Sequence, residues 1–340
     1  MDNRSQTSGS ARESLRQSID AYQVSQCLYV AAKLGLADLL KDGPKHFEEL
    51  AKTSSAKPKP LFRVLRALAS AGVFNQLPGG QFELTEMAEY LRTDTPGSLR
   101  AWAILAGEQP YPAWGQLLYT VQTGEIGFDH LFGMSNWQYR VQNPAAAQVF
   151  NEAMSEGVRA SIAAILQAYD YSPFAQIVDV GGGQGALLAG ILTANPSAKG
   201  VLFDLEHVVA GARPLLEKAG VAQRCETIGG SFLERVPVGG DAYILKDILL
   251  NWDDQECVQI LANCRQAMHK DAALLIIERV IAAEKPTLDA AMVDLRMMVM
   301  LGGQARTTEE LQALLSAAGF ELIRTVPTRS AYQILEGKAV

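Results

Sequence analysis

Asp179, Gly181, Gly183 and Gly185 lie close together in the run Ile177-Val178-Asp179-Val180-Gly181-Gly182-Gly183-Gln184-Gly185-Ala186-Leu187-Leu188. Asp204 ends a second apolar run, Gly200-Val201-Leu202-Phe203-Asp204, about twenty residues further on. Glycines let a ligand approach backbone that a β-carbon would shield, and the helix expected from Ala186 offers unpaired N–H groups and a positive dipole end. A carboxylate at Asp204 is placed to accept hydrogen bonds from two ribose hydroxyls. The chemistry this implies is the holding of a nucleotide-like cofactor. Gly181, Gly183 and Ala186 also satisfy the dinucleotide pattern G-x-G-x-x-A, and both NAD and S-adenosylmethionine (SAM) carry such a ribose, so these residues leave both open.

These groups need a sheet to position them. From Gln176 onward apolar runs near 177–180, 200–204, 224–228, 241–246 and 272–279 alternate with helical segments, which predicts a mostly parallel, doubly wound α/β sheet. The chain ends differently: 319–326 and 332–336 flank a short turn containing Pro327, so the last strand should run antiparallel to its partner. A parallel sheet closed by an antiparallel hairpin is the arrangement of SAM-dependent methyltransferases rather than of typical NAD dehydrogenases. Ligands of open α/β sheets sit beyond the carboxyl ends of the strands, which selects Gly181 to Gly185, Asp204-Leu205, Gly230-Ser231-Phe232, Lys246 to Asn251, and Glu278. Phe232 suits stacking on an adenine, Ser231 a hydrogen bond to its edge, and Lys246 a carboxylate or carbonyl of the cofactor.

The 340 residues predict more than one domain, and 48% hydrophobic residues are ample for buried cores. A net charge of −7 argues against nucleic acid or an anionic membrane as partner, since polyphosphate binding rests on clustered Lys and Arg. Cys27, Cys225, Cys257 and Cys264 fit neither a metal pair nor a disulfide framework, so reduced thiols and no metal are expected. Residues 1–13 are polar and serine-rich, predicting disorder, and with no apolar signal core or membrane span the expected location is cytoplasmic.

Residues 14–96 read as helices followed by a hairpin around Pro78-Gly79-Gly80, a winged-helix pattern. Lys57, Lys59, Arg63 and Arg66 are too few, and too interrupted by proline, for a recognition helix. The surplus of apolar positions on the first helices, with Tyr22, Tyr29 and Leu36 beside Leu28 and Leu39, favours subunit contact instead. Residues 97–169 form a helical, aromatic-rich connector expected to roof the site, with Trp137, Phe150 and Met154 as candidates for a flat apolar pocket. Residues 170–340 are then the catalytic domain.

Val178-Asp179-Val180-Gly181-Gly182-Gly183-Gln184-Gly185, Phe203-Asp204-Leu205, Gly229-Gly230-Ser231-Phe232, Leu245-Lys246 and Trp252-Asp253-Asp254 together resemble the successive motifs of the small-molecule O-methyltransferases related to caffeic acid O-methyltransferase, over residues 15–337. The resemblance implies a winged-helix-like dimerisation domain, a Rossmann-like catalytic domain, SAM as methyl donor, and a homodimer whose partner helices help close the pocket on a small aromatic substrate.

The sequence departs from that family where chemistry is decided. Many members place a His-Asp pair before the tryptophan, and the histidine removes the phenolic proton; here the pair is Leu250-Asn251. Leucine accepts no proton. Of two glutamates that commonly flank the histidine, one is kept as Glu278 and the other is replaced by Ala305. Leu249-Leu250-Asn251-Trp252, Asp294 to Met298 and Leu301-Gly302-Gly303 resemble a bacterial subgroup acting on aromatic polyketides, including carminomycin 4-O-methyltransferase and aclacinomycin 10-hydroxylase, which lacks the base. Its methylating members are thought to work by positioning, and another uses SAM without transferring the methyl. Positioning an ionised oxygen against a sulfonium methyl can itself supply much of the acceleration.

Arg296 is then the candidate to stabilise a phenolate or a substrate carboxylate, with ion pairing to Asp294, Asp247 or Glu278 as its alternative. Asn251 would hydrogen-bond the acceptor oxygen, and Asp247, Leu250 and Met297 complete the acceptor side. The expected activity is O-methylation of a planar phenolic or polyketide-like molecule. The alternatives are C-methylation, a SAM-binding enzyme that decarboxylates, hydroxylates or cyclises without methyl transfer, and a winged-helix regulator with a ligand-binding domain.

Overall fold

The computed structural model describes residues 4–340. Two compact units divide after Tyr111, the second being Pro112–Val340. In the first, a helix of residues Arg4–Lys33 leads to a short helix Leu36–Leu39, turning at Gly35, whose φ of 64° is natural for glycine. Residues 1–3 of the expected disordered tail lie outside the described residues. The remainder of that tail, 4–13, is the first part of the helix: once its packed part has nucleated, each further residue adds a backbone hydrogen bond at little cost.

Strands β1 (Lys45–His46), β2 (Phe74–Leu77) and β3 (Gln81–Leu84) form an antiparallel sheet in the order β1-β3-β2. Helix Pro58–Ser70 buries Leu61, Leu65 and Leu68 against it. The helix takes both Pro58 and Pro60 into its first turn, because prolines there occupy positions whose N–H groups have no intrahelical partner.

Helix Arg100–Gly107 belongs to this unit rather than to the connector in which it was expected. It packs on the first helix, where Gly107 lies under the Tyr29 ring and a β-carbon would overlap the ring. Tyr29 and the fully buried Leu36, two of the surplus apolar positions, are thus used inside the unit, while Leu15, Ile19, Tyr22 and Val24 are exposed.

The second unit opens with helices that include Asn136–Gln142 and Pro144–Ala168. A sheet follows, built of β4 (Gln176–Val180), β5 (Lys199–Asp204), β6 (Cys225–Gly229), β7 (Ala242–Lys246), β8 (Ala273–Glu278), β9 (Phe320–Pro327) and β10 (Gln333–Ala339) in the order β6-β5-β4-β7-β8-β10-β9. Pairing is parallel from β6 to β8, and β10 runs antiparallel to both β8 and β9. β4, β5, β7 and β8 are apolar on both faces because helices cover both: Val178, Tyr243 and Leu274 face one core, and Ile177, Leu202, Ile244 and Leu275 the other. No helix of the described residues is long and apolar enough to cross a membrane.

Candidate active site

β4 lies between β5 and β7, so the turn after it opens where the strand order reverses, the place at which open α/β sheets receive ligands. Gly181, Gly183 and Gly185 all adopt positive φ, 71°, 62° and 82°. The Gly181 N–H donates to the carbonyl of Phe203 at 2.7 Å. Asp204 closes the turn from the neighbouring strand: its Oδ2 accepts from the Gly183 N–H at 2.8 Å and its Oδ1 from the Leu205 N–H at 2.7 Å. Each oxygen keeps a further lone pair. A β-carbon at Gly181 would strike Ile248 and Phe232, whereas one at Gly183 would meet nothing within 4 Å, so the turn is open to approach there.

Asp179 lies beneath this turn, 1% exposed, and its Oδ2 has no hydrogen-bond partner. Burial, helped by the charge of Asp204, pushes its carboxyl up to about 7. Burial also raises Asp204, although the two N–H groups it accepts work the other way.

Ser231 and Phe232 follow β6. The Ser231 carbonyl accepts the N–H groups of Glu234 and Arg235, and Asn263 Nδ2 donates to the Phe232 carbonyl at 2.8 Å, which fixes the ring beside Gly181. Lys246 ends β7 almost buried, its ammonium paired with the Asp247 carboxylate and 4.1 Å from the Tyr332 ring centroid. Burial works against its charge, but Asp247 prevails and holds the ammonium above its ordinary value. The expected partner of Lys246, a cofactor carboxylate, thus competes with one supplied by the chain. Asp247 itself has φ of 54°, costly for a residue with a side chain, and is held there by Tyr332 OH on its Oδ2 at 2.8 Å and by Asn251 Nδ2 on its carbonyl at 2.7 Å. The Asn251 amide nitrogen, expected to face the acceptor, is therefore engaged with backbone, and its carbonyl oxygen is the end that can meet an acceptor hydroxyl.

Leu249–Asn251 form a single 3-10 turn. Leu250 is buried against Val293 and Met297 of helix Leu288–Met300, and its N–H donates to Glu278 Oε1 at 3.1 Å. Burial, then the charge of Asp247, pushes Glu278 up to about 7. The retained glutamate thus secures the backbone that carries Leu250. Gly303 lies against the backbone of Leu250 and Asn251 so closely that a β-carbon would overlap it. Ala305 donates its N–H to Asp294 Oδ1 at 2.9 Å. Arg306, 1% exposed, donates to the carbonyls of Leu249 and Trp252, each at 2.8 Å, and to Asp254.

Arg296 projects from the same helix as Met297, half-buried. Burial, then the positive charge of Arg279, lowers its guanidinium from the ordinary value, and Asp289 opposes them. Of the three carboxylates weighed as its ion-pair partners, Asp294 accepts from the Ala305 N–H, Asp247 pairs with Lys246 and accepts from Tyr332, and Glu278 accepts from the Leu250 N–H.

Of the connector aromatics, Trp137 and Phe150 reach the site. Trp137 stacks on Trp252 with centroids 6.0 Å apart at 14°, Trp252 meets Phe232 edge-on at 5.7 Å, and Phe150 meets Trp137 edge-on at 6.4 Å. Met154 is half-buried one helical turn beyond Phe150. Phe128, Phe132 and Tyr139 instead form a core with Ala113 and Val299. Leu205, also assigned to the cofactor, is exposed at the start of the short helix Glu206–Val209.

Arg140, Asn263, Arg306 and Tyr332 were not legible as site residues. Only Arg140 carried a signal, its position one helical turn from Trp137. Its guanidinium lies 3.4 Å from the Phe150 centroid and 5.0 Å from that of Trp137. Two such contacts contribute about 0.5–2 kcal/mol each.

A parallel sheet closed by an antiparallel hairpin, with a glycine turn after its central strand and a carboxylate ending the next, defines a Rossmann-like methyltransferase. Family models for an O-methyltransferase dimerisation domain and an O-methyltransferase domain match residues 17–94 and 114–321, one in each compact unit, and the chain belongs to this family of SAM-dependent methyltransferases. It is 46% identical to the phenazine O-methyltransferase PhzM of Lysobacter antibioticus over 96% of both chains. The crystal structure of LaPhzM superposes with a TM-score of 0.95 at 45% identity, covering 97% of this chain and 99% of that one. The O-methyltransferase NcsB1 from neocarzinostatin biosynthesis, solved with SAM and 2-hydroxy-5-methyl naphthoic acid, superposes with a TM-score of 0.83 at 30% identity over 93% of this chain and 96% of that one.

Proposed function

We propose that the enzyme methylates a phenolic oxygen on a planar, fused aromatic small molecule, by holding that oxygen in place rather than by removing its proton with a histidine. The observation that carries this reading is Leu250: an apolar side chain packed on Val293 and Met297, whose backbone takes up the carboxylate of Glu278. The phenazine and naphthoic acid named for the two relatives support the acceptor class.

The residues present fit SAM. Asp179 offers an unpartnered buried carboxylate oxygen, Asp204 keeps lone pairs for ribose hydroxyls, Gly183 leaves the turn open, and Phe232 presents an aromatic ring beside Gly181. When bound, SAM supplies an electrophilic methyl on a sulfonium. The chain's own residues then set the acceptor. Trp137, Trp252 and Phe150 give flat contact area and exclude water, and Met154 and Met297 add apolar contact. Arg296 favours the ionised acceptor oxygen, and the Asn251 carbonyl can accept the hydroxyl proton's hydrogen bond before ionisation. Proton loss is left to solvent.

The exposed apolar row Leu15, Ile19 and Tyr22 supports a homodimer formed through the first helices. SAM is a cytosolic metabolite, which supports a cytoplasmic setting. Incubation with methyl-labelled SAM and phenols of graded acidity, read by mass spectrometry, tests the reading. Labelled methyl ethers forming faster on more acidic phenols are expected; label on carbon only, or a rate independent of acidity, would refute it.

A further inference from the structure

We propose that Arg140 is a second recognition point for the acceptor, a seat for a carboxylate substituent of the planar ring system, distinct from the oxygen that is methylated. This rests on reading the pocket as one for planar aromatic acceptors.

Arg306 is buried and Arg140 half-buried with its Nη1 enclosed, and the contrast between them is informative. Every face of Arg306 is filled, by the carbonyls of Leu249 and Trp252 and by the carboxylate of Asp254. It is a finished structural contact. Arg140 is covered by the rings of Phe150 and Trp137, and its Nη1 is shielded from solvent with no hydrogen-bond partner. Burial alone pulls its guanidinium down, to about 9, with no acidic side chain offsetting the loss of hydration. It is still a cation at neutral pH. A half-buried cation with aromatic walls and an unused, enclosed donor gains most from an anion that brings planar oxygens, because a guanidinium matches a carboxylate in shape and in hydrogen-bond direction.

Its place in the fold says whose carboxylate. Trp137 stacks on Trp252, Trp252 meets Phe232, and Phe232 flanks Gly181, so a continuous aromatic wall leads from the cofactor turn to Arg140. That wall is the surface along which a fused-ring acceptor would lie between the cofactor turn and Arg140. Arg279 and Arg296 have Asp289 of helix Leu288–Met300 beside them, an acidic neighbour that Arg140 lacks.

The test compares 3-hydroxy-2-naphthoic acid with its neutral carboxamide on the full-length wild type, Arg140→Gln and Arg140→Lys. Binding to protein loaded with S-adenosylhomocysteine is read by calorimetry, independently of turnover. Loss of the charge-assisted contact should weaken binding of the acid about tenfold or more in Arg140→Gln while changing that of the amide less than about twofold. Arg140→Lys should recover part of the difference, and affinity for S-adenosylhomocysteine and the mass in light scattering should stay as in wild type. Equal loss on acid and amide would show a structural pillar, weakened cofactor binding would assign the seat to the cofactor carboxylate, and a smaller mass would assign it to a subunit contact. Each overturns the proposal, as does wild-type protein that does not prefer the acid. Wild type that binds the acid through Arg140 yet methylates no phenol would instead refute the proposed function and leave this inference standing.

Discussion

The two halves of the site carry opposite fixed charge. Beneath and beside the glycine turn are the carboxylates Asp179 and Asp204, both held above the ordinary carboxylate range by burial. Around Leu250 and the aromatic wall stand the guanidiniums Arg296 and Arg140, both depressed by burial, with the carboxyl of Glu278 held on the Leu250 N–H. Each half bears the charge that water would otherwise have stabilised, so each gains from a ligand of the other sign. On our reading the acidic half serves a cationic donor and the basic half an acceptor that ionises. An apolar side chain at 250 fits such a division, because the acceptor loses its proton under the influence of nearby positive charge and needs no base of its own.

The sharpest way to break this division is to remove the acidic half. Asp204→Ala is expected to weaken SAM by about a hundredfold or more in calorimetry, since each charged hydrogen bond lost costs about 1.5–3 kcal/mol and the Gly183 and Leu205 N–H groups lose their acceptor too. Unchanged affinity would remove Asp204 from the donor site.

The basic half should answer differently. Arg296→Ala is expected to lower kcat/KM roughly ten- to a hundredfold while leaving SAM affinity intact, and to lower it most for the least acidic phenols. A parallel loss of SAM affinity would mean that the two halves are not separate.

Protonation sharpens the comparison. Asp179 and Glu278 both have folded-state values raised to about 7, so the stability linked to them is fully present below their unfolded values and is lost as pH rises through about 7. Ligand-free protein should therefore lose melting temperature between pH 5.5 and 7.5. Asp179→Asn should remove roughly half of that slope, on the order of 1 kcal/mol per pH unit for one proton. An unchanged slope in scanning fluorimetry would show that Asp179 is ionised throughout.

The smallest effect is expected from restoring the usual family pair. Leu250→His with Asn251→Asp should change kcat/KM less than about threefold. The structure adds a reason to the missing glutamate at 305: Asn251 donates to the Asp247 carbonyl, and aspartate has no hydrogen to donate. A large gain across all phenols would show that a base at 250 is what this pocket lacks.

The donor half was legible in the sequence because its parts are local. A glycine turn needs three residues at positive φ between a strand and a helix, and glycine supplies that wherever the flanking periodicity places it; Asp204 follows one strand later. The terminal hairpin was legible for the same reason. The acceptor half draws on residues from Trp137 to Tyr332, and no spacing encodes which of them meet. That Trp137 stacks on Trp252 while Phe128 enters a core is decided by how the helices pack. Lys246 and Asp247 were read as ligands of two different molecules, and only the positive φ of Asp247, fixed by Tyr332 and Asn251, turns them toward each other. Arg306 and Arg140 are alike as letters in the sequence. Burial beside three acceptors finishes Arg306, and packing between two rings leaves Arg140 with an enclosed nitrogen to satisfy, a difference that exists only in the folded packing.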